Sequence, residues 1–334
     1  MNKTITAVTV LICCTLVAAA AAFILIDNNK SDPDVLPAGL REIDVKINAD
    51  TRWELNGKLT TCADQPSEAA AILVHGSGPH GMDLTIGPNK VYRDIAWNLA
   101  KSGVDVLRYD KRTFVYGNSS ADNIAKLTVK EEVIDDAVAA AELMKSYGYD
   151  KIFLIGHSLG GMLAPAIVKE SDGLFDGFVS LAGSPRKMQE ILADQILAAY
   201  PERMILVQIE FARMEQMGSW TESELLSNVV FGQPAYYVKD MNSRDAGAIA
   251  LSLDVPMLFL QGSADFQVYP DKDFAKWQEV LEGKEGVEFK LYDGLNHLFM
   301  VSQGKDAGTV AEYNVKGHVD QNVIEDIAEF IKAP

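Results

Sequence analysis

Cysteine is scarce in this 334-residue chain, and that shortage excludes two kinds of scaffold. Cys13 and Cys14 lie in an N-terminal apolar run, which leaves Cys62 alone in the remainder. The folded part can therefore form no internal disulfide, and no Cys-x-x-Cys or clustered Cys/His spacing marks a zinc site. The five histidines (His75, His80, His157, His297 and His318) are scattered, and nothing in their spacing favours a metal. Positive charge is also in short supply. The formal net charge of −17 argues against nucleic acid and anionic membrane surfaces as partners of the folded part. No repeat of 20–50 residues and no low-complexity tract is visible.

What the chain does have begins at Ile5. From there to Ile26 run 22 residues without a charge, preceded by Lys3 and followed by Asp27-Asn28-Asn29-Lys30. About 20 apolar residues cross a bilayer as a helix. A cleavable signal has a shorter apolar stretch ending in small residues, and here Phe23–Ile26 continues past the alanines at 18–22. The expectation is an uncleaved anchor with the folded part outside the cytoplasm; a cleaved signal, giving a secreted protein, and a lipidated Cys13 or Cys14 are the alternatives. Residues 28–40 read as a linker, with Pro33 and Pro37-Ala38-Gly39.

Beyond the linker, Arg41–Asn48 and Arg52–Thr61 alternate like a β-hairpin. Ala69–Val74 is a continuous apolar run, suited to a strand buried on both faces. Helical and strand-like stretches then alternate: helix at Tyr92–Ser102, strand at Val104–Tyr109, helix from Thr128 to Tyr147, strand at Lys151–Ile155, strand at Phe175–Leu181. Thr128 and Glu131 form a capping-box pattern, and Gly148 follows the last turn. Strands at Pro256–Leu260 and Val287–Leu291 flank a helical Asp271–Leu281, and an amphipathic Asp320–Ile331 closes the chain. Such alternation means an α/β fold, a mostly parallel sheet with helices on both faces. Residues 187–245 break the rhythm. They are rich in helix formers and methionines (Met188, Met204, Met214, Met217) and read as an inserted helical cap. Bulky residues such as Trp220 and Phe231 are expected to line a pocket beneath it. The division is 1–30 anchor and start of the linker, 31–186 and 246–334 core, 187–245 cap.

Ligands on such sheets bind beyond the carboxyl ends of the strands. There the chain carries Gly156-His157-Ser158-Leu159-Gly160-Gly161, a Gly-x-Ser-x-Gly turn between an apolar strand and a helix. A serine raised on a sharp turn needs neighbours without side chains. A hydroxyl is a poor nucleophile at neutral pH, so Ser158 requires a base and an orienting acid. Asp265 follows one strand and His297 another, in the order Ser…Asp…His used on this fold. Asp293 is a rival acid and His318 a rival base; the first shares a strand end with His297, and the second lies just before the last helix. The oxyanion of a tetrahedral intermediate needs backbone donors, for which Leu159 N–H and Ser77 N–H, in His75-Gly76-Ser77-Gly78-Pro79, are placed. His75 and His157 are expected to act as supporting hydrogen bonders.

These motifs, with Arg108-Tyr109-Asp110-Lys111-Arg112, Gly262–Asp265 and Asn296-His297, resemble the serine hydrolases of the α/β-hydrolase superfamily, in particular bacterial carboxylesterases with a helical cap. The resemblance implies hydrolysis of carboxylic esters, small or glycan-linked, through an acyl-enzyme, with no metal or organic cofactor. The stretch His80-Gly81-Met82-Asp83 departs from the more polar, arginine-containing sequence of such enzymes, which leaves acyl and alcohol preference open. An acyltransferase, thioesterase or peptidase would use the same triad. A non-catalytic, membrane-tethered binding protein on this scaffold is the reading from another class. Oligomeric state is not legible.

Overall fold

The structure, a computed structural model, describes residues 35–63 and 67–333. The apolar run Ile5–Ile26 lies outside them, and among the described residues no helix is long and apolar enough to cross a membrane.

Eight strands form one sheet: β1 (Leu40–Ile47), β2 (Leu55–Cys62), β3 (Ala69–Val74), β4 (Asp105–Tyr109), β5 (Lys151–His157), β6 (Gly177–Leu181), β7 (Met257–Gly262) and β8 (Val287–Tyr292). Their order is β1-β2-β4-β3-β5-β6-β7-β8. β1 and β2 pair antiparallel, as do β2 and β4, and every other neighbouring pair is parallel. All six residues of β3 are buried, because helices cover both faces. Ala70, Ile72 and Val74 face one core layer with α2 (Asp135–Ser146) and α3 (Leu159–Glu170). Ala71 and Leu73 face the other, with α1 (Val91–Lys101) and the closing helix at Gln321–Lys332. That closing helix buries Val323, Ile324, Ile327, Phe330 and Ile331 on one stripe. Each such side chain gains about 1.5–3 kcal/mol relative to exposure, so the stripe fixes the helix to the sheet.

Two expected helices begin differently from their sequence pattern. The capping box of Thr128 and Glu131 forms, with Thr128 N–H donating to Glu131 at 3.0 Å, but Lys130–Ile134 is wound as a π-helix before α2. The expected helix at Asp271–Leu281 likewise starts as a π-helical turn, Pro270–Phe274. Each widened turn carries a buried carboxylate, Glu132 in the first and Asp273 in the second. π-turns inside helices recur where a functional side chain must be re-aimed.

Between β6 and β7 the chain leaves the sheet. Helices α4 (Met188–Ala199), α5 (Met204–Met217), α6 (Glu222–Ser227) and α7 (Ala235–Asn242) follow, with a minimal hairpin of Val229–Val230 and Gln233–Pro234. They carry two small cores of their own, one around Met217, Leu225 and Val230, the other around Leu192, Val207 and Phe231. Phe231 is 4% exposed, and its ring meets that of Phe211 at 5.0 Å. It packs inside the insertion, contrary to the expectation that it faces a pocket. Trp220 packs against the first of these cores. A short α8 (Ala246–Leu251) then returns the chain to the main core through Ala246 and Ala250.

Candidate active site

β5 ends in the turn at Ser158, whose backbone sits at φ 56°, ψ −115°. An L-residue adopts such a conformation only when its surroundings impose it, at a cost of about 1–3 kcal/mol. Here the Ser158 N–H donates to Leu181 O of β6 at 2.8 Å, and Met162 N–H donates to Ser158 O at 2.9 Å, starting α3. The flanking glycines are required by space. A Cβ on Gly156 would lie 2.2 Å from Gly160 O, and a Cβ on Gly160 would lie 2.2 Å from Val74 O. The turn therefore packs backbone on backbone, which only glycine permits.

His297 follows β8 and Asp265 follows β7. Their side chains meet: His297 Nδ1 lies 2.7 Å from Asp265 Oδ2, both residues 4% exposed. A carboxylate accepts, so His297 Nδ1 carries the proton and Nε2 is left as the basic atom. Asp265 is held from every side. Its Oδ1 accepts from Gln267 N–H (2.8 Å) and Val268 N–H (3.0 Å), and its Oδ2 accepts from Gln261 Nε2 (2.9 Å). The carboxylate thus both caps its own loop and orients the imidazole. Asn296 shapes the histidine loop by accepting from Leu298 N–H and Met300 N–H. The loops after β7 and β8 are tied to each other by Ala264 N–H donating to Leu295 O.

His157, the residue before Ser158, joins this pair to the serine turn. Its Nε2 donates to His297 O at 2.8 Å, and the two rings lie 4.7 Å apart. Burial, with the neighbouring His297 imidazole second, pushes the His157 pKa down to about 3, so the ring is neutral at physiological pH.

The other wall is the loop after β3. A Cβ on Gly76 would lie 3.1 Å from Ser158 Cβ, so this loop abuts the serine. Ser77 follows, with its carbonyl accepting from His80 Nε2 at 2.8 Å. Leu159 is the first residue of α3, and its N–H is one of the helix's first-turn donors with no acceptor within the helix. His75 Nε2 donates to Tyr109 O at 2.6 Å, and burial pushes its pKa down to about 3. The three predicted side chains and the two predicted amide positions thus gather at the carboxyl ends of β3, β5, β7 and β8.

The rivals lie elsewhere. His318 pairs with Asp94 at 3.0 Å, with its side chain 61% exposed. Asp293 accepts from Ser263 Oγ at 3.0 Å. Among the described residues no cluster of His, Cys, Asp and Glu could hold a metal ion.

Sequence reading missed what the charged run at the end of β4 does. Arg108 is buried against Glu42 (2.6 Å) and Asp83 (3.0 Å), and Asp110 accepts from Met82 N–H at 2.8 Å. Lys111 Nζ donates to Gly76 O at 2.9 Å, and Arg112 pairs with Asp136. The available signal was four charges in five residues at the end of a buried strand, a place where charge is tolerated only if paired.

Residues 65–303 match the family described as serine aminopeptidase, S33, and this span holds the sharp strand-to-helix elbow at Ser158 together with Asp265 and His297. The chain belongs to that family. It is similar to Esterase EstD of Thermotoga maritima, at 38% identity over 297 residues, 88% of this chain and 68% of the relative. Its fold is that of α/β-hydrolase esterases. It superposes on Est1E from Butyrivibrio proteoclasticus with a TM-score of 0.54 at 15% identity, covering 86% of this chain and 96% of that one. The Pyrococcus furiosus esterase Pf2001 matches with a TM-score of 0.54 at 18% identity, covering 92% and 97%. The chain is thus a hydrolase on this fold, as its motifs suggested.

Proposed function

We propose that this hydrolase cleaves carboxylic esters through an acyl-enzyme on Ser158. The observation that carries the reading is the buried Asp265–His297 pair, with His297 fastened by its own backbone to the residue beside Ser158. His297 Nε2 takes the Ser158 proton as Oγ attacks the ester carbonyl, and returns it to the departing alcohol. Asp265 stabilises the imidazolium that forms between these steps. Leu159 and Ser77 amides receive the oxyanion, a contribution that usually reaches several kcal/mol in enzymes of this design. Water, activated by the same histidine, releases the acid. The similarity to Esterase EstD supports esters as the substrate class, rather than the peptides that the family description suggests.

A fluorophosphonate probe should label the wild-type chain and not Ser158→Ala. Purified protein should turn over p-nitrophenyl esters, with a chain-length optimum set by residues 187–245 acting as a cap. Preferential cleavage of aminoacyl p-nitroanilides would replace the esterase reading with a peptidase one, and labelling of Ser158→Ala would overturn the triad.

For the N-terminal segment the reading rests on sequence alone. The 22 uncharged residues Ile5–Ile26 tether the enzyme to a membrane with its catalytic part outside the cytoplasm. Full-length protein is expected in the membrane pellet after a high-salt wash. A mature N-terminus near Phe23, with activity in the medium, would show secretion instead.

A further inference from the structure

Buried Lys111 and Glu132, with half-buried Tyr237, form a line from the inserted helices to the loop beside Ser158. Tyr237, on α7, donates its hydroxyl to Glu132 Oε2 at 2.7 Å. Glu132 Oε1 lies 3.2 Å from Lys111 Nζ and accepts from Thr113 Oγ1 at 2.7 Å. Lys111 Nζ donates to Gly76 O at 2.9 Å. Lys111 is 2% exposed and Glu132 8%. Burial alone would raise the Glu132 pKa, but the Lys111 charge and the hydrogen bonds from Tyr237 and Thr113 hold it below the ordinary value. Glu132 is therefore ionised, and its carboxylate is held by Lys111, Thr113 and Tyr237 together, which makes this network rigid.

The decisive point is which carbonyl Lys111 holds. Gly76 C=O and Ser77 N–H belong to the same peptide unit. That unit is planar and trans, so its C=O and N–H point in opposite directions. Fixing the oxygen on Lys111 fixes the direction of the Ser77 N–H. A cation on the oxygen also polarises the amide and makes the N–H a stronger donor. The next unit is clamped as well, since Ser77 O accepts from His80 Nε2.

We propose that Lys111, braced by Glu132, is a positioning residue that aims and polarises the Ser77 amide as an oxyanion donor, and that Tyr237 couples the inserted helices to this donor. The inference rests on the esterase reading above. Its signature is selective: interactions with the developing oxyanion weaken, and ground-state binding does not.

The test compares wild type with Lys111→Met/Glu132→Gln, which removes both charges together, and with Tyr237→Phe, which removes only the hydrogen bond from the cap. Each is assayed for kcat, KM, thermal midpoint and inhibition by a trifluoromethyl ketone, whose adduct with serine carries an oxyanion. The expected result for the double variant is a loss of about 10–100-fold in kcat and a matching loss of inhibitor affinity, with KM within about twofold. Tyr237→Phe should show the same pattern at about threefold, and it decides the matter if the double variant does not fold. Unchanged inhibitor affinity in a folded variant, or losses in KM alone, would overturn the proposal. Ser158→Ala is run beside them: if it keeps activity the triad reading fails, whereas a dead Ser158→Ala with an unaffected Lys111→Met/Glu132→Gln removes only the positioning role.

Discussion

The imidazole of His157 donates to the backbone carbonyl of His297 at 2.8 Å, so the residue preceding Ser158 grips the main chain of the residue proposed as its base. The two elements are 140 residues apart in sequence, and this bond sets their separation more directly than the sheet does. His157→Phe keeps a ring in the site and deletes the donor. A buried carbonyl left unpaired costs about 1–3 kcal/mol, so the thermal midpoint should fall. kcat should fall by about tenfold with KM little changed, because the base moves relative to the serine. Steady-state kinetics on p-nitrophenyl esters checks this, and unchanged kcat would show that the sheet alone positions His297.

Ser158 and His297 should behave as one unit. Removing either to alanine is expected to lower kcat by about 10⁴–10⁶, and removing both should cost little more. Near-wild-type turnover by His297→Ala would redirect attention to His318, despite its exposed pairing with Asp94.

Folding stability should drop on mild acidification. Burial holds His75 and His157 at about 3, against 6.5 when unfolded. Below pH 6.5 the unfolded chain therefore binds protons that the folded chain refuses, and stability falls as pH falls through this window. Asp136 works in the opposite direction, since burial raises it to about 6 and the folded chain takes up a proton there. His80, which burial lowers to about 4, adds a third loss, and three losses against one gain leave a net decrease of about 3–4 kcal/mol between pH 6.5 and 5. Urea midpoints at the two pH values measure it; a flat or rising midpoint would contradict the assignment of neutral His75 and His157.

Gly160→Ala should not yield folded protein. Its Cβ would sit 2.2 Å from the Val74 carbonyl and 2.9 Å from the His75 carbonyl, both backbone atoms that cannot swing aside. Gly218→Ala, at a position where a Cβ meets nothing within 4 Å, is the control and should fold normally. Circular dichroism and soluble yield distinguish them.

Phe231→Ala should loosen the inserted helices and leave the sheet intact. Large aromatic truncations in a core cost about 3–5 kcal/mol, and this ring belongs to a small core confined to the insertion. Hydrogen exchange should accelerate in α4, α5 and α7 and stay unchanged in β3, β5 and β7. Global acceleration would mean that the insertion and the sheet unfold together.

How much of this was legible in the chain follows from the range of the interactions involved. Buried strands announce themselves by continuous apolar runs, and amphipathic helices by their stripe, so Ala69–Val74 and the closing helix could be read directly. The elbow was legible too, because a backbone contact too close for any Cβ leaves glycine as the single option at positions 156 and 160. Strand-end position and the order Ser…Asp…His pointed to Asp265 and His297, since a parallel sheet gathers its carboxyl ends on one edge. Tertiary structure decided the rest. The π-turns at Lys130–Ile134 and Pro270–Phe274 look like ordinary helix in sequence, since Glu132 and Asp273 differ from surface carboxylates only in the partners that reach them. Phe231 reads as a pocket residue by composition and is a core residue by packing. The link from Lys111 to Gly76 joins residues 35 apart through one side chain and one carbonyl, and no local pattern encodes such a bond. Sequence by itself determined the layers and the elbow, where periodicity and sterics act within a few residues. Folding decided which charges are buried together, because that depends on what each strand end meets across the sheet.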